Sequence, residues 1–290
     1  MFNYILYRIG KFLALSIPLT VAYAVAAFIS DLHYLISAAD RNAVWQNLKV
    51  IFPEKSDREI RGIRRRMFRN FAKYLVDFFR FSKVDAEYVR KNIKIENIHY
   101  FDEALKRGKG VIVLTAHLGN WELGGVAVAL CGYPFWVVAL SHKNKKVNDF
   151  FISQRQSKGI QVIPLGSAAR QCYHLLKENK MVALVGDRDF TEKGIKVDFF
   201  GRKTFLPLGP AYLSLKTQAS IITGFMLRNP DDTFTLTINK PIEADMKEQI
   251  AARDKEESMI KIIDTYKVVL EDYIRKYPDQ WYMFRRFWIE

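Results

Sequence analysis

Two cysteines in 290 residues leave little for a disulfide framework, and no Cys/His cluster is spaced to hold zinc. Cys131 and Cys172 fall in apolar predicted helices and read as reduced core residues. The chain has no His-Glu-x-x-His, so a catalytic metal is not expected, and no Gly-x-Ser-x-Gly elbow for a serine nucleophile. Gly119, Gly124 and Gly125 are too sparse and wrongly ordered for a nucleotide loop. Internal repeats, low-complexity tracts and Gly/Ser linkers are missing too, which leaves one main domain behind an N-terminal helical region. Acidic residues are in deficit, 31 against 45 Lys and Arg, for a net charge of +14. That balance suits an anionic partner: phospholipid, a phosphorylated glycolipid or nucleic acid.

The run Phe12 to Ile29 is uncharged and apolar, with Pro18 inside it. It is at the lower limit for a spanning helix. Arg8 and Lys11 precede it and Ala-Val-Ala-Ala lies within it, as in a signal peptide, but apolar character resumes at Leu32 without a polar cleavage region. Residues 1–38 are therefore expected to anchor the chain, spanning the membrane or embedded with both ends cytoplasmic; basic residues on both sides give no clean orientation. Residues 39–290 form the remaining domain, opening with helices over 39–92. There Ser56-Asp-Arg-Glu59 is a capping box, and Ile60, Ile63, Met67, Phe71, Tyr74 and Phe78 form a core-facing stripe. The opposite face, Arg58 to Lys73, is strongly basic, either a solvated face or a surface for anionic headgroups.

From Ile93 the pattern alternates. Strand-like runs at 93–98, 111–115, 135–140, 160–165, 181–186, 221–227 and 234–238 are mostly separated by helical ones. This predicts an α/β fold, a mostly parallel sheet flanked by helices, with the last two strands able to pair as an antiparallel hairpin. A long charge-rich helical stretch, Asp245 to Tyr277, follows.

The stretch Gly110 to Gly125 reads as strand, polar turn and helix start. His117 falls beyond the carboxyl end of its strand, where open α/β sheets bind ligands. Asn120 is a candidate N-cap, and Glu122 sits in the first helical turn. With His117 still in the turn, Glu122 is expected to reach back to the imidazole, making a general base of fixed tautomer. The competing reading makes His117 a structural residue and Glu122 a partner of the helix dipole alone. Asp187-Arg188-Asp189 follows another strand and should share that edge; Arg188 suits a phosphate or an oxyanion, against the alternative of a surface ion cluster.

His117-x4-Glu122 resembles the His-x4-Asp/Glu motif of glycerolipid and glycolipid acyltransferases. The surrounding words are similar to the lauroyl/myristoyl acyltransferases of lipid A synthesis and the related phosphatidylinositol mannoside acyltransferases. They are Asn47-Leu-Lys-Val-Ile-Phe-Pro-Glu54, Gly186-Asp-Arg-Asp-Phe190 with Val197-Asp-Phe-Phe-Gly201 and Pro207-x-Gly209-Pro, and Pro278-Asp-Gln-Trp-Tyr-Met-Phe-Arg-Arg286. Arg188 between the two aspartates looks more like the mannoside branch. The resemblance implies a glycerolipid acyltransferase-like fold and direct O-acyl transfer at the inner membrane from the cytoplasmic side. The donor would be a thioester of acyl carrier protein or coenzyme A, with no resident cofactor, and the acceptor a membrane glycolipid, foremost a lipid A precursor. A phosphatidylinositol mannoside or lysophospholipid is the alternative acceptor, and no nucleic acid is involved. His117 and Glu122 would be catalytic; Gly119, Asn120, Asp187, Arg188 and Asp189 would bind substrate or stabilise the oxyanion, partly through amides of the turn. Phe199 to Pro210 would wall an acyl tunnel or simply pack on the sheet. Outside enzymes, a non-catalytic basic protein binding membrane or nucleic acid accounts for the Arg and aromatic content.

Overall fold

The structure, a computed structural model, describes residues 2–189, 194–243 and 252–289; Phe190 of the second motif and the first residues of the expected helix from Asp245 lie outside these. Four helices come first: α1 (Phe2–Ser16), α2 (Leu19–Ile36), α3 (Ala38–Ile51) and α4 (Asp57–Phe79). The apolar run expected as one segment is broken where Pro18 caps α2, because proline carries no N–H and disfavours helical geometry before it. Its two halves pack back on α4, with Ala14, Ala22 and Tyr23 buried. The capping box at Ser56 and Glu59 is formed, with both reciprocal bonds present. Among the described residues, α2 is the one helix long and apolar enough to cross a membrane.

The basic face of α4 is largely spent inside the molecule. Arg65 and Arg69 both hold Asp31 of α2, Arg66 holds Asp279 at 2.9 Å, and Lys73 holds Asp232 at 2.7 Å. Arg58 and Arg61 remain exposed. A charge run that reads as one surface is here a set of tertiary ties.

The α/β region continues with α5 (Ala86–Asn92), β1 (Ile93–Glu96), α6 (His99–Lys106), β2 (Val111–Thr115), α7 (Trp121–Leu130), β3 (Phe135–Ala139) and α8 (Lys145–Gln156). Then come β4 (Gln161–Pro164), α9 (Ala168–Lys177), β5 (Met181–Val185), β6 (Ile195–Phe199), β7 (Arg202–Leu206), α10 (Gly209–Thr217), β8 (Ser220–Arg228), β9 (Phe234–Ile238) and α11 (Ala252–Lys276). The seven-stranded sheet runs β1-β9-β8-β2-β5-β3-β4. Its neighbours are parallel except β8 and β9, which pair antiparallel as the turn between them suggested. β2 lies in the middle, and its side chains from Val111 to Leu114 are buried on both faces, as a continuous apolar run requires.

β6 and β7 form a separate two-stranded hairpin that the sequence reading missed. Its turn places Phe200 at φ +51°, unfavourable for a bulky side chain, beside Gly201 at +75°, so the first turn position lacks the Asn or Gly that would announce it. Phe199 and Leu206 are fully buried, and Phe199 packs on Phe287 and Trp288. These residues behave as core, in keeping with the packing alternative. Cys172 is buried as expected, whereas Cys131 is exposed where α7 ends.

Candidate active site

β2 and β5 are parallel neighbours with Thr115 opposite Val185. Two residues further on, each chain leaves the sheet, so His117 and Asp187 face one another across the same edge. The imidazole Nδ1 lies 2.8 Å from Asp187 Oδ1, and the backbone N–H of His117 donates to Oδ2 at 3.1 Å. Trp281 Nε1 donates to that same oxygen at 2.9 Å. Asp187 is wholly buried, yet its carboxyl is held below the usual range: burial alone would raise it, and the His117 charge and these hydrogen bonds outweigh that. His117 moves the opposite way. Burial would lower its pKa, but the Asp187 carboxylate and its hydrogen bond raise it, Glu122 adds to the rise, and Arg285 opposes it.

The expected contact between Glu122 and the imidazole is therefore replaced. Glu122 is held bidentately by Arg155 of α8, at 2.9 Å to Nε and 2.6 Å to Nη2. Both side chains are nearly buried, so Glu122 acts on His117 through its charge, whereas Asp187 contacts the ring. Nothing about Arg155 singled it out in the sequence, because it meets Glu122 only through tertiary folding. The placement of Asp187 at this edge was readable from the strand pattern; its hydrogen bond to the histidine depended on register.

Gly119 and Asn120 take structural parts. Gly119 has φ +65°, and a Cβ there would press on the Met226 carbonyl oxygen. Its N–H donates to Gln280 O at 2.9 Å and that of Asn120 to Met226 O at 2.7 Å, while the N–H of His117 is given to Asp187. The amides of His117, Gly119 and Asn120 are thus occupied within the protein. The Asn120 side chain caps α7 by accepting from Leu123 N–H, and its Nδ2 donates to buried Asp77 at 2.7 Å. Asp77 also accepts from Tyr23 of α2 and from Arg228 of β8, closing a buried network beneath the turn.

Arg188 and Asp189 line a pocket of about 290 Å³ with Thr204, Met283, Arg285 and Arg286. Asp189 accepts from Gly194 N–H at 2.7 Å. The three arginines give this pocket a cationic wall, and Arg285 is near enough to oppose protonation of His117. On the other side, Trp121 meets the imidazole edge-on at 5.2 Å and stacks on Tyr74 at 4.6 Å. Trp121, Glu122 and Arg155 also border a small apolar cavity of about 80 Å³ between α7 and the sheet, where Gly124, Gly125, Ala183 and Gly224 leave room. The site thus combines a carboxylate-held histidine, an arginine-lined pocket and an apolar slot.

Several known proteins are similar to this chain. Phosphatidylinositol mannoside acyltransferase of Mycolicibacterium smegmatis is 32% identical over 52% of this chain and 51% of that protein. Its namesake in Mycobacterium tuberculosis strain H37Rv is 31% identical over 53% and 50%. The lipid A biosynthesis palmitoleoyltransferase of Escherichia coli K12 is 26% identical over 64% and 61%. The chain spans about half the length of the mycobacterial relatives it matches. Among solved structures, the 1-acyl-sn-glycerophosphate acyltransferase of Thermotoga maritima is similar at 13% identity, with a TM-score of 0.39, over 88% of this chain and 97% of that one. The family described as bacterial lipid A biosynthesis acyltransferase matches from residue 1 to residue 290, and the chain belongs to that family.

Proposed function

We propose that this protein is a membrane O-acyltransferase that moves a fatty acyl group from a thioester to a hydroxyl of a glycolipid, with His117 as general base. The observation that carries this reading is the buried Asp187 carboxylate on Nδ1, which leaves the lone pair on Nε2. Nε2 takes the acceptor proton as the oxygen attacks the thioester carbon. When the tetrahedral intermediate collapses, the carbon–sulfur bond breaks and the leaving thiolate takes that proton, giving ester and thiol. Arg188 and Arg285 are the groups suited to the oxyanion or to a phosphate of either substrate. The donor is acyl carrier protein or coenzyme A thioester, and the route requires no cofactor held by the protein.

The acceptor proposed first is a lipid A precursor, on the family match. A phosphatidylinositol mannoside is the second reading, favoured by the mycobacterial relatives and by Arg188 between its aspartates. The apolar outer surfaces of α1 and α2, including Phe12, Phe28 and Leu35, support a seat on a membrane, and a thioester donor made in the cytoplasm would put that seat on the cytoplasmic face of the inner membrane. Purified protein given radiolabelled lauroyl thioester should acylate one of these two acceptors, and His117→Ala should lose nearly all of that transfer. Transfer by the alanine variant within a few-fold of wild type sinks the mechanism; failure with both acceptors sinks the substrate assignment.

A further inference from the structure

An apolar groove of about 490 Å³ runs between the N-terminal helices and α4, outside the catalytic edge. Leu13, Ile17, Val25, Ile29, Ala72 and Leu75 are among its lining. Along α4 it extends from Phe68 to Phe79, roughly 16 Å at the helical rise. One end is closed by the contact of Gly10 with Phe79, where a Cβ on Gly10 would lie 2.9 Å from the ring. The lips are Leu13, Val25 and Ile29, exposed by 48, 43 and 57%. An open apolar trough of this size with apolar lips is a poor surface to leave in water, and a hydrocarbon chain fits it.

The other end says which chain. There the groove is bordered by Phe68, Phe71 and Phe284. Met283 and Arg285, on either side of Phe284, line the cationic pocket beside His117. Phe71 is joined to the catalytic edge through Tyr74, Trp121 and the imidazole, at successive ring distances of 5.6, 4.6 and 5.2 Å. A lipid lying with its tail toward Gly10 therefore presents its head to the arginines and the histidine. Resting on the function proposed above, we infer that this groove holds one existing acyl chain of the phosphate-bearing acceptor lipid, fixing which of its hydroxyls reaches His117.

Two probes test this: phosphatidylinositol and phosphatidylcholine, each with a diazirine in one acyl chain, irradiated with the full-length protein in phosphatidylcholine vesicles. The phosphatidylinositol probe should label groove residues such as Ile29 and Leu75, and a tenfold excess of whichever acceptor is acylated should suppress that labelling. Labelling of the groove equally by both probes, unmoved by acceptor, makes it a seat for bulk lipid and overturns the inference. Labels confined to the outer faces at Phe12 and Phe28 overturn it as well. Ala72→Trp fills the groove and should raise the KM for acceptor at least tenfold with a smaller change in kcat; Ala26→Trp does the same from α2 if the first variant unfolds. Val268→Trp, on the exposed face of α11, should leave both constants unchanged. Unchanged KM in a folded groove-filled variant contradicts the proposal. Groove labelling by the phosphatidylinositol probe without transfer to any acceptor fails the functional reading alone, and transfer without groove labelling fails the groove alone.

Discussion

At the residue scale the proposed chemistry rests on one hydrogen bond, His117 to Asp187, and it has a pH signature. His117 is raised above its ordinary 6.5, so the neutral base accumulates only as the pH climbs past that value. The rate should rise along a limb centred above 6.5. In Asp187→Asn the main raising influence is gone: the limb should move to lower pH, while kcat falls about a thousandfold or more because the tautomer is no longer fixed. Steady-state rates across pH 5 to 9 check both. Stability carries the same pair. The raised His117 contributes fully below 6.5 and loses that contribution as pH rises through its folded value; the depressed Asp187 contributes above 3.8 and loses it as pH falls through its own. The unfolding midpoints of wild type and His117→Ala should differ most between these two pH values. Glu122 and Arg155 make a separate test. Arg155→Ala strands a nearly buried carboxylate and should cost about 3 kcal/mol, whereas Glu122→Leu with Arg155→Met should recover most of that loss in denaturant titrations. If the double variant is as unstable as Arg155→Ala, the pair is held by more than its own charges.

At the scale of elements, the decisive piece is the turn from His117 to Asn120, clamped between β8 and the C-terminal segment. Tyr282 N–H donates to His117 O at 2.8 Å, and the Gln280 side-chain amide accepts from the Arg228 backbone N–H and donates to the Arg228 carbonyl oxygen. Gly119→Ala should be among the most damaging single-methyl changes, losing well over 1 kcal/mol, since it opposes the left-handed backbone and meets a carbonyl. Soluble yield and thermal unfolding measure it; a variant as stable as wild type would mean the turn can be rebuilt. The same elements explain what could be read in advance. Alternating apolar runs located the strands of the main sheet and the caps at Ser56 and Asn120, because those signals are local. Asp187 could be brought to the right edge but not onto Nδ1, because strand order and register are set by tertiary packing. Arg155, thirty-three positions from Glu122, left no local trace, and the role expected of Glu122 went to Asp187 for that reason. The β6–β7 hairpin escaped because its turn uses Phe200 where Asn or Gly would have been the signal.

At the scale of the whole molecule, the N-terminal helices are more than an attachment. Deleting residues 2–36 removes Tyr23 from Asp77, Asp31 from Arg65 and Arg69, and the cover from Leu75, Val76 and Phe79. The truncated protein should aggregate or follow detergent, instead of becoming a well-behaved soluble enzyme; flotation and size-exclusion chromatography decide this. The intact protein should float with vesicles even at high salt, because the apolar faces of α1 and α2 are insensitive to screening. The buried Asp77 joins the two ends of this scheme, touching Tyr23 of α2 and Asn120 of the turn that carries His117. A chain whose α2 has not docked leaves that turn with a weaker support, since Asp77 then lacks one of its donors while Arg228 and Asn120 remain. Docking of α2 and ordering of the His117 turn are thereby coupled through one buried carboxylate, so that damage to either is felt by the other.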